Sequence, residues 1–220
     1  MTAISDTLLR MDRMYRYQRY IYDATRKFYL LGRDRLLDEL PLAAGDHVLE
    51  IGSGTGRNLM ALARRHPQVR LFGVDASAPM LATAEQSVRQ AGLGGRIRLA
   101  HGLGEQVDPA AMFGLDRPFD TIVVSYALTM IPTWPAVVEA AVRHLRPGGR
   151  LAVVDFSDQR DLPGWFRRIL VAWLGLFDVH LRAEIPDFFR DLVRARGGAL
   201  RIDQMYGGYA FRLVYTAPAP

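Results

Sequence analysis

Glu50, Gly52, Gly54 and Gly56 stand on alternate positions where an apolar run, Val48 to Ile51, gives way to a loop containing Ser53 and Thr55. Glycines at that spacing let a backbone approach a ligand without Cβ clashes. In an open parallel α/β sheet, ligands bind beyond the carboxyl ends of the strands. A second apolar run, Val69 to Val74, ends in Asp75. It follows the glycines by about twenty residues, where such a fold places a carboxylate that accepts hydrogen bonds from ribose hydroxyls. The chemistry these residues suit is therefore the binding of a nucleoside-bearing ligand. The dinucleotide fingerprint G-x-G-x-x-G fits poorly. Arg57 occupies the place of its third glycine, and Glu50 is foreign to it. A dehydrogenase is disfavoured on those grounds.

These residues need an alternation of strands and helices to hold them, and the chain supplies one. Gly45-Asp46 turns into a first strand, His47 to Ile51, and a helix follows from Asn58 to Arg65. After Asp75, Ser77 is a plausible N-cap and Pro79 suits the first turn of a helix through Arg89. A third strand, Arg96 to Ala100, leads to Gly102-Leu103-Gly104-Glu105. A fourth, Phe119 to Val124, emerges at Ser125-Tyr126-Ala127-Leu128. A helix from Pro135 to Leu145 is stopped by Arg146-Pro147-Gly148-Gly149, and a fifth strand runs from Arg150 to Asp155. The closing strands, Ala199 to Tyr206 and Tyr209 to Tyr215, are joined by Gly207-Gly208, a two-residue hairpin signal.

Two further segments stand outside this alternation. Residues 1–44 read as a helical cap in which arginines and tyrosines interleave, with a second helix from Arg33 to Leu40 ending at Pro41. Residues 158–190 form an insertion holding an unusually apolar helix with a basic start, Trp165-Phe166-Arg167-Arg168. Basic aromatic helices of this kind either cover a sheet or lie on a membrane interface with arginine stems snorkelling.

Composition bounds the rest. A chain of 220 residues, half of them apolar, fits one domain with a full core. No apolar run reaches the length of a transmembrane helix, and the polar N-terminus does not read as a signal peptide. The expected location is cytoplasmic, with peripheral attachment to a membrane. With no cysteine and five scattered histidines, disulfides, thiolate catalysis and a metal site are not expected. The net charge of +5 suits nucleic acid, an anionic membrane surface or an acidic substrate, and the bias towards arginine over the single Lys27 reads first as genomic base composition.

Glu50-x-Gly52-x-Gly54-x-Gly56, Asp75, the Pro147-Gly148-Gly149 turn and the terminal hairpin, in that order, resemble the class I S-adenosylmethionine-dependent methyltransferases over about residues 45–216. The resemblance implies an α/β Rossmann-like fold, a seven-stranded, mostly parallel sheet with an antiparallel last strand, here carrying an N-terminal helical extension on a single domain, 1–220. It implies S-adenosylmethionine as cofactor and S-adenosylhomocysteine as product. Glu50 is then placed near the methionine amino group, and Gly52, Ser53, Gly54 and Gly56 against the cofactor. Asp75, Ala76 and Met80 fall around the ribose and adenine. Leu103 and Gly104 come near the adenine, where many members carry an acid. Ser125 lies at the strand end that faces the donor methyl.

A narrower likeness concerns the acceptor. Met14 to Arg19, Tyr22 to Asp34 and Ser125 to Pro132 resemble betaine-lipid N-methyltransferases, which methylate diacylglycerylhomoserine three times to diacylglyceryl-N,N,N-trimethylhomoserine. Tyr22, Tyr29 and Tyr126 are then candidates for the catalytic methyl path, where aromatic rings favour a growing ammonium by about 0.5–2 kcal/mol. Tyr15, Arg26, Tyr206 and Tyr209 become candidate substrate contacts. Arg33 is assigned to the methionine carboxylate or else to the carboxylate of the head group. The partners so implied are a lipid head group with a free amine, an anionic membrane surface and the enzyme that makes the lipid substrate, with no nucleic acid. Phosphatidylethanolamine N-methylation, a soluble small-molecule acceptor and a non-catalytic subunit of the same fold remain open alternatives.

Overall fold

The computed structural model describes residues 30–175 and 179–219. Seven strands make one sheet in the order β3-β2-β1-β4-β5-β7-β6. They are β1 (His47–Ile51), β2 (Arg70–Asp75), β3 (Ile97–His101), β4 (Phe119–Ser125), β5 (Leu145–Phe156), β6 (Ala199–Met205) and β7 (Ala210–Thr216). Strands β1 to β5 pair in parallel, and β7 enters antiparallel between β5 and β6. Parallel strands covered on both faces read as continuous apolar runs. Accordingly, every residue of β1 and of β4 is buried. The strand order reverses between β1 and β4, so their carboxyl ends open the crevice where such sheets bind ligands.

The helices cover both faces: α1 (Arg33–Asp38), α2 (Arg57–Arg65), α3 (Ala78–Gln90), α4 (Pro109–Phe113), α5 (Trp134–Arg143), α6 (Gly164–Gly175) and α7 (Ile185–Arg196). Two apolar layers result. One joins Phe72, Phe113, Phe119, Trp134, Phe189 and Tyr215, and the other joins Leu37, Leu59, Leu62, Tyr126, Phe156 and Tyr209. Among the described residues no helix is long and apolar enough to cross a membrane.

Two local expectations change. The Pro147-Gly148-Gly149 stretch does not separate α5 from β5; α5 ends at Arg143 and β5 already pairs at Leu145. The partner of Phe119 is Leu145 and that of Thr121 is Arg150, so the turn bulges out of the strand opposite Asp120. The buried Asp120 carboxylate organises this bulge, accepting from Arg146 Nε at 2.5 Å, Arg117 at 2.8 Å and the His47 amide at 2.8 Å. The final hairpin closes at Met205 and Ala210, so its loop is four residues rather than two. Tyr206 joins Gly207 and Gly208 at positive φ, which lengthens the turn.

At the other end of the chain, α1 is fastened to the hairpin. Arg212, 3% exposed on β7, donates to Asp203 of β6 at 2.5 Å and also pairs with Glu39 just after α1.

Candidate active site

The first half of the site grows from the end of β1. Glu50 is 2% exposed, and Asn58 Nδ2 in the first turn of α2 donates to it at 2.6 Å. That bond fixes one carboxylate oxygen of an acid buried at the mouth of the crevice. The loop then turns through Gly52, Gly54 and Gly56, all at positive φ. At Gly52, φ is 73° and a Cβ would come within 2.7 Å of Ala127 Cβ, so the glycine is required twice over.

Asp75 closes the loop from β2. Its carboxylate, 8% exposed, accepts from the Gly54 amide at 2.6 Å and from the Ser77 amide at 2.8 Å. An ionised carboxylate offers about four acceptor positions, and these two bonds brace the loop against the end of β2. Ser77 caps α3 by accepting from the Met80 amide at 3.4 Å. Met80 is buried beside it, and the half-buried Ala76 offers its carbonyl to His101 Nε2 at 3.0 Å.

Leu103 is half-buried after β3, and Gly104 opens a short 3-10 turn. A Cβ on Gly104 would lie 2.7 Å from Ile51 Cγ2, so the chain runs against the end of β1. The acid next in line, Glu105, accepts from Thr133 Oγ1 at 2.9 Å. Leu103, an apolar surface, is thus what this segment presents.

The second half lies at the ends of β4, β5 and β7. Ser125 is buried with its hydroxyl unpartnered, as is that of Ser53 in the loop. Tyr126 sits at φ 54° and is 3% exposed. Its ring meets Phe156 edge-on at 4.7 Å, and Phe156 meets Tyr209 at 5.8 Å. Burial raises the hydroxyls of Tyr126 and Tyr209, keeping both neutral. The Tyr126 hydroxyl donates to the Leu31 carbonyl at 2.5 Å, so this residue offers its ring rather than a free hydroxyl. Arg33, 7% exposed at the start of α1, lies close enough to Tyr126 to oppose part of that rise. Tyr206 differs from its neighbours: it is 52% exposed on the hairpin loop, over Gly32. Tyr15, Tyr22, Arg26 and Tyr29 fall outside the described residues.

Two residues of this half escaped the sequence reading. Asp155, fully buried at the end of β5, accepts from Thr129 Oγ1 at 2.6 Å and from the amides of Thr129 and Phe156. Burial raises its carboxyl from 3.8 to about 6 despite those bonds. A signal was present, since Asp155 ends an apolar strand as Glu50 and Asp75 do. Gln159 is fully buried at φ 58°, bonded through its amide to the Gly208 carbonyl at 2.9 Å, with both side-chain amide atoms unpartnered. Only the folded hairpin reveals its position.

The residues fit S-adenosylmethionine. The glycine loop lies between an acid positioned by Asn58 and the carboxylate of Asp75, and the buried Ser125 hydroxyl at the end of β4 has no partner. By contrast, the groove lined by Leu36, Arg150, Arg201 and Thr216 contains none of these side chains.

Comparison with known proteins agrees. Residues 48–149 match the family model described as a methyltransferase domain. The chain is 33% identical over 147 residues to nocamycin O-methyltransferase of Saccharothrix syringae, covering 66% of this chain and 50% of that protein. It is 26% identical over 163 residues to demethylmenaquinone methyltransferase of Listeria welshimeri, covering 74% and 63%. The chain therefore spans roughly half to five-eighths of the length of these relatives. An O-methyltransferase family protein from Burkholderia thailandensis superposes with a TM-score of 0.72 at 20% identity, over 93% of this chain and 60% of that one. A SAM-dependent methyltransferase from Aquifex aeolicus does so with a TM-score of 0.64 at 18% identity, over 99% and 100%. The fold is the α/β Rossmann-like fold of these solved methyltransferases, and S-adenosylmethionine is the cofactor that the match to a methyltransferase domain implies.

Proposed function

We propose that this chain, built on the class I methyltransferase fold, is an S-adenosylmethionine-dependent N-methyltransferase that methylates the amino head group of a diacylglycerylhomoserine-type lipid. The observation that carries the amine acceptor is the aromatic wall of Tyr126, Phe156 and Tyr209 at the end of β4 and β5. Neutral rings favour a nitrogen that becomes cationic as it gains methyl groups. The acid at this end, Asp155, is engaged with Thr129 and Phe156. An amine that arrives unprotonated needs no stronger base than water to carry its proton away.

The cofactor supplies an electrophilic methyl carbon on a sulfonium. Glu50 and Asp75 would hold it through its amino group and its ribose, with the glycine loop against it. Displacement is in line, so the protein's chief contribution is to hold the acceptor nitrogen at about 3–3.5 Å from that carbon. The cofactor would supply the methyl to the nitrogen lone pair with loss of its carbon–sulfur bond, giving S-adenosylhomocysteine and a proton for water to carry away. Gln159, buried at the same rim with an unpartnered amide, is assigned to the polar head of the acceptor.

A second reading, methyl transfer to oxygen or carbon of another acceptor, has the names of the relatives behind it. The test is transfer of radiolabelled methyl from S-adenosylmethionine into total lipid extract, separated by thin-layer chromatography. A labelled, phosphorus-free zwitterionic lipid is expected. A phosphorus-containing product would move the acceptor to phosphatidylethanolamine. No labelled lipid, with cofactor binding intact, would defeat the lipid reading and leave the second one.

A further inference from the structure

Of the five large apolar side chains exposed among the described residues, four lie on α6: Trp165 at 68%, Ile169 at 62%, Val171 at 41% and Phe166 at 37%. The fifth, Tyr206, is on the hairpin loop that the foot of α6 touches, where a Cβ on Gly207 would lie 3.6 Å from Leu162 Cδ2. Exposure of this kind concentrated on one element marks a contact surface.

The helix already has an inner face. Leu170 and Leu174, 8% and 1% exposed, belong to the apolar layer of Tyr126, Phe156 and Tyr209. The outer apolar residues are therefore surplus to the fold. They are accompanied by Arg167 and Arg168, both exposed, neither in an ion pair with a described residue. No acidic residue lies on the helix; the nearby Asp158 is paired with Arg160 and lies close enough to Arg167 to feel its charge. A short helix with tryptophan and isoleucine on its outer side and exposed arginines among them has the composition of an element lying in a bilayer interface. Arginine stems reach the head groups while the aromatic rings enter the acyl boundary.

We propose that α6 docks the protein on an anionic lipid surface and so brings the rim of the active site, at Tyr206 and Gly207, to the plane of the head groups. The proposal deepens the lipid-acceptor reading and rests on it for its purpose, but the docking is measurable alone. The charge favours a lipid over a second copy of this chain, because two copies of a helix bearing only arginines would repel each other across a shared face.

The experiment is co-sedimentation of the full chain with vesicles of phosphatidylcholine alone and of phosphatidylcholine with phosphatidylglycerol, neither of which bears a methyl acceptor amine. Binding to the anionic vesicles, weakened by added salt, is expected. Ile169→Glu and Trp165→Ala are each expected to lower vesicle affinity about tenfold. Arg167→Gln with Arg168→Gln should remove most of the salt dependence. Because these side chains are exposed, melting temperatures should match wild type, which separates docking from folding. Wild-type affinity in Ile169→Glu would overturn the proposal. So would a wild-type dimer that Ile169→Glu splits without any vesicle binding, since a second copy would then own the face. A monomer that ignores anionic vesicles would overturn it too. Vesicle binding without lipid methylation keeps the docking and removes the acceptor reading. Lipid methylation at wild-type rate by Ile169→Glu does the reverse.

Discussion

Asp155 is a carboxyl that burial moves far from its ordinary chemistry. Its carboxyl ionises at about 6 in the folded protein against 3.8 ordinarily. Between those values the folded state binds more protons than the unfolded state, so this group lowers stability as pH rises. A rise of about two units corresponds to roughly 3 kcal/mol, present in full above about pH 6 and absent below about pH 4. Asp155→Asn should lack that decline, which denaturant unfolding over a series of pH values would detect. Parallel pH profiles for the variant and wild type would place the titration elsewhere. The acid nevertheless persists in the fold, because it ties the Thr129 turn to the end of β5 directly behind Tyr126.

At the scale of elements, the loop after β1 is the least tolerant of change. Gly52→Ala forces a side chain into left-handed backbone and against Ala127, and should destabilise by about 1–3 kcal/mol. Thermal melting checks this, and an unaltered midpoint would show that the loop relaxes freely. This same loop was readable in the sequence because its determinants are local: an apolar run, an acid and alternate glycines. The spacing to Asp75 was likewise readable, since one strand–helix–strand unit fixes it. Strand β5 was read too short because Asp120 and Arg146, 26 residues apart, hold its bulge in the ladder. The tie of Tyr126 to Leu31 spans 95 residues, and nothing local announces it. The apolar helix of the insertion left burial and exposure equally open in sequence, since both use the same residue types; the exposure of Trp165 and Ile169 now separates them.

For the molecule as a whole, ligand and fold are linked through Asp75, which braces the glycine loop before any ligand arrives. S-adenosylmethionine at a hundred times its Kd should stabilise the protein by about 2.7 kcal/mol, a rise of roughly 5–10 °C in Tm. Asp75→Ala should abolish most of that shift, and calorimetry should show cofactor affinity weaker by about a hundredfold. Equal affinity would remove the ribose assignment. The bridge from Arg212 to Glu39 sets a different condition, one of timing. A ribosome releases the first turns of this polypeptide long before it makes β7, and 173 residues separate the two partners. Helix α1, which begins at the buried Arg33, therefore gains this fastening only once β7 has been made. Nascent chains halted before the hairpin would lack the clasp, so α1 is secured only after β7 has emerged.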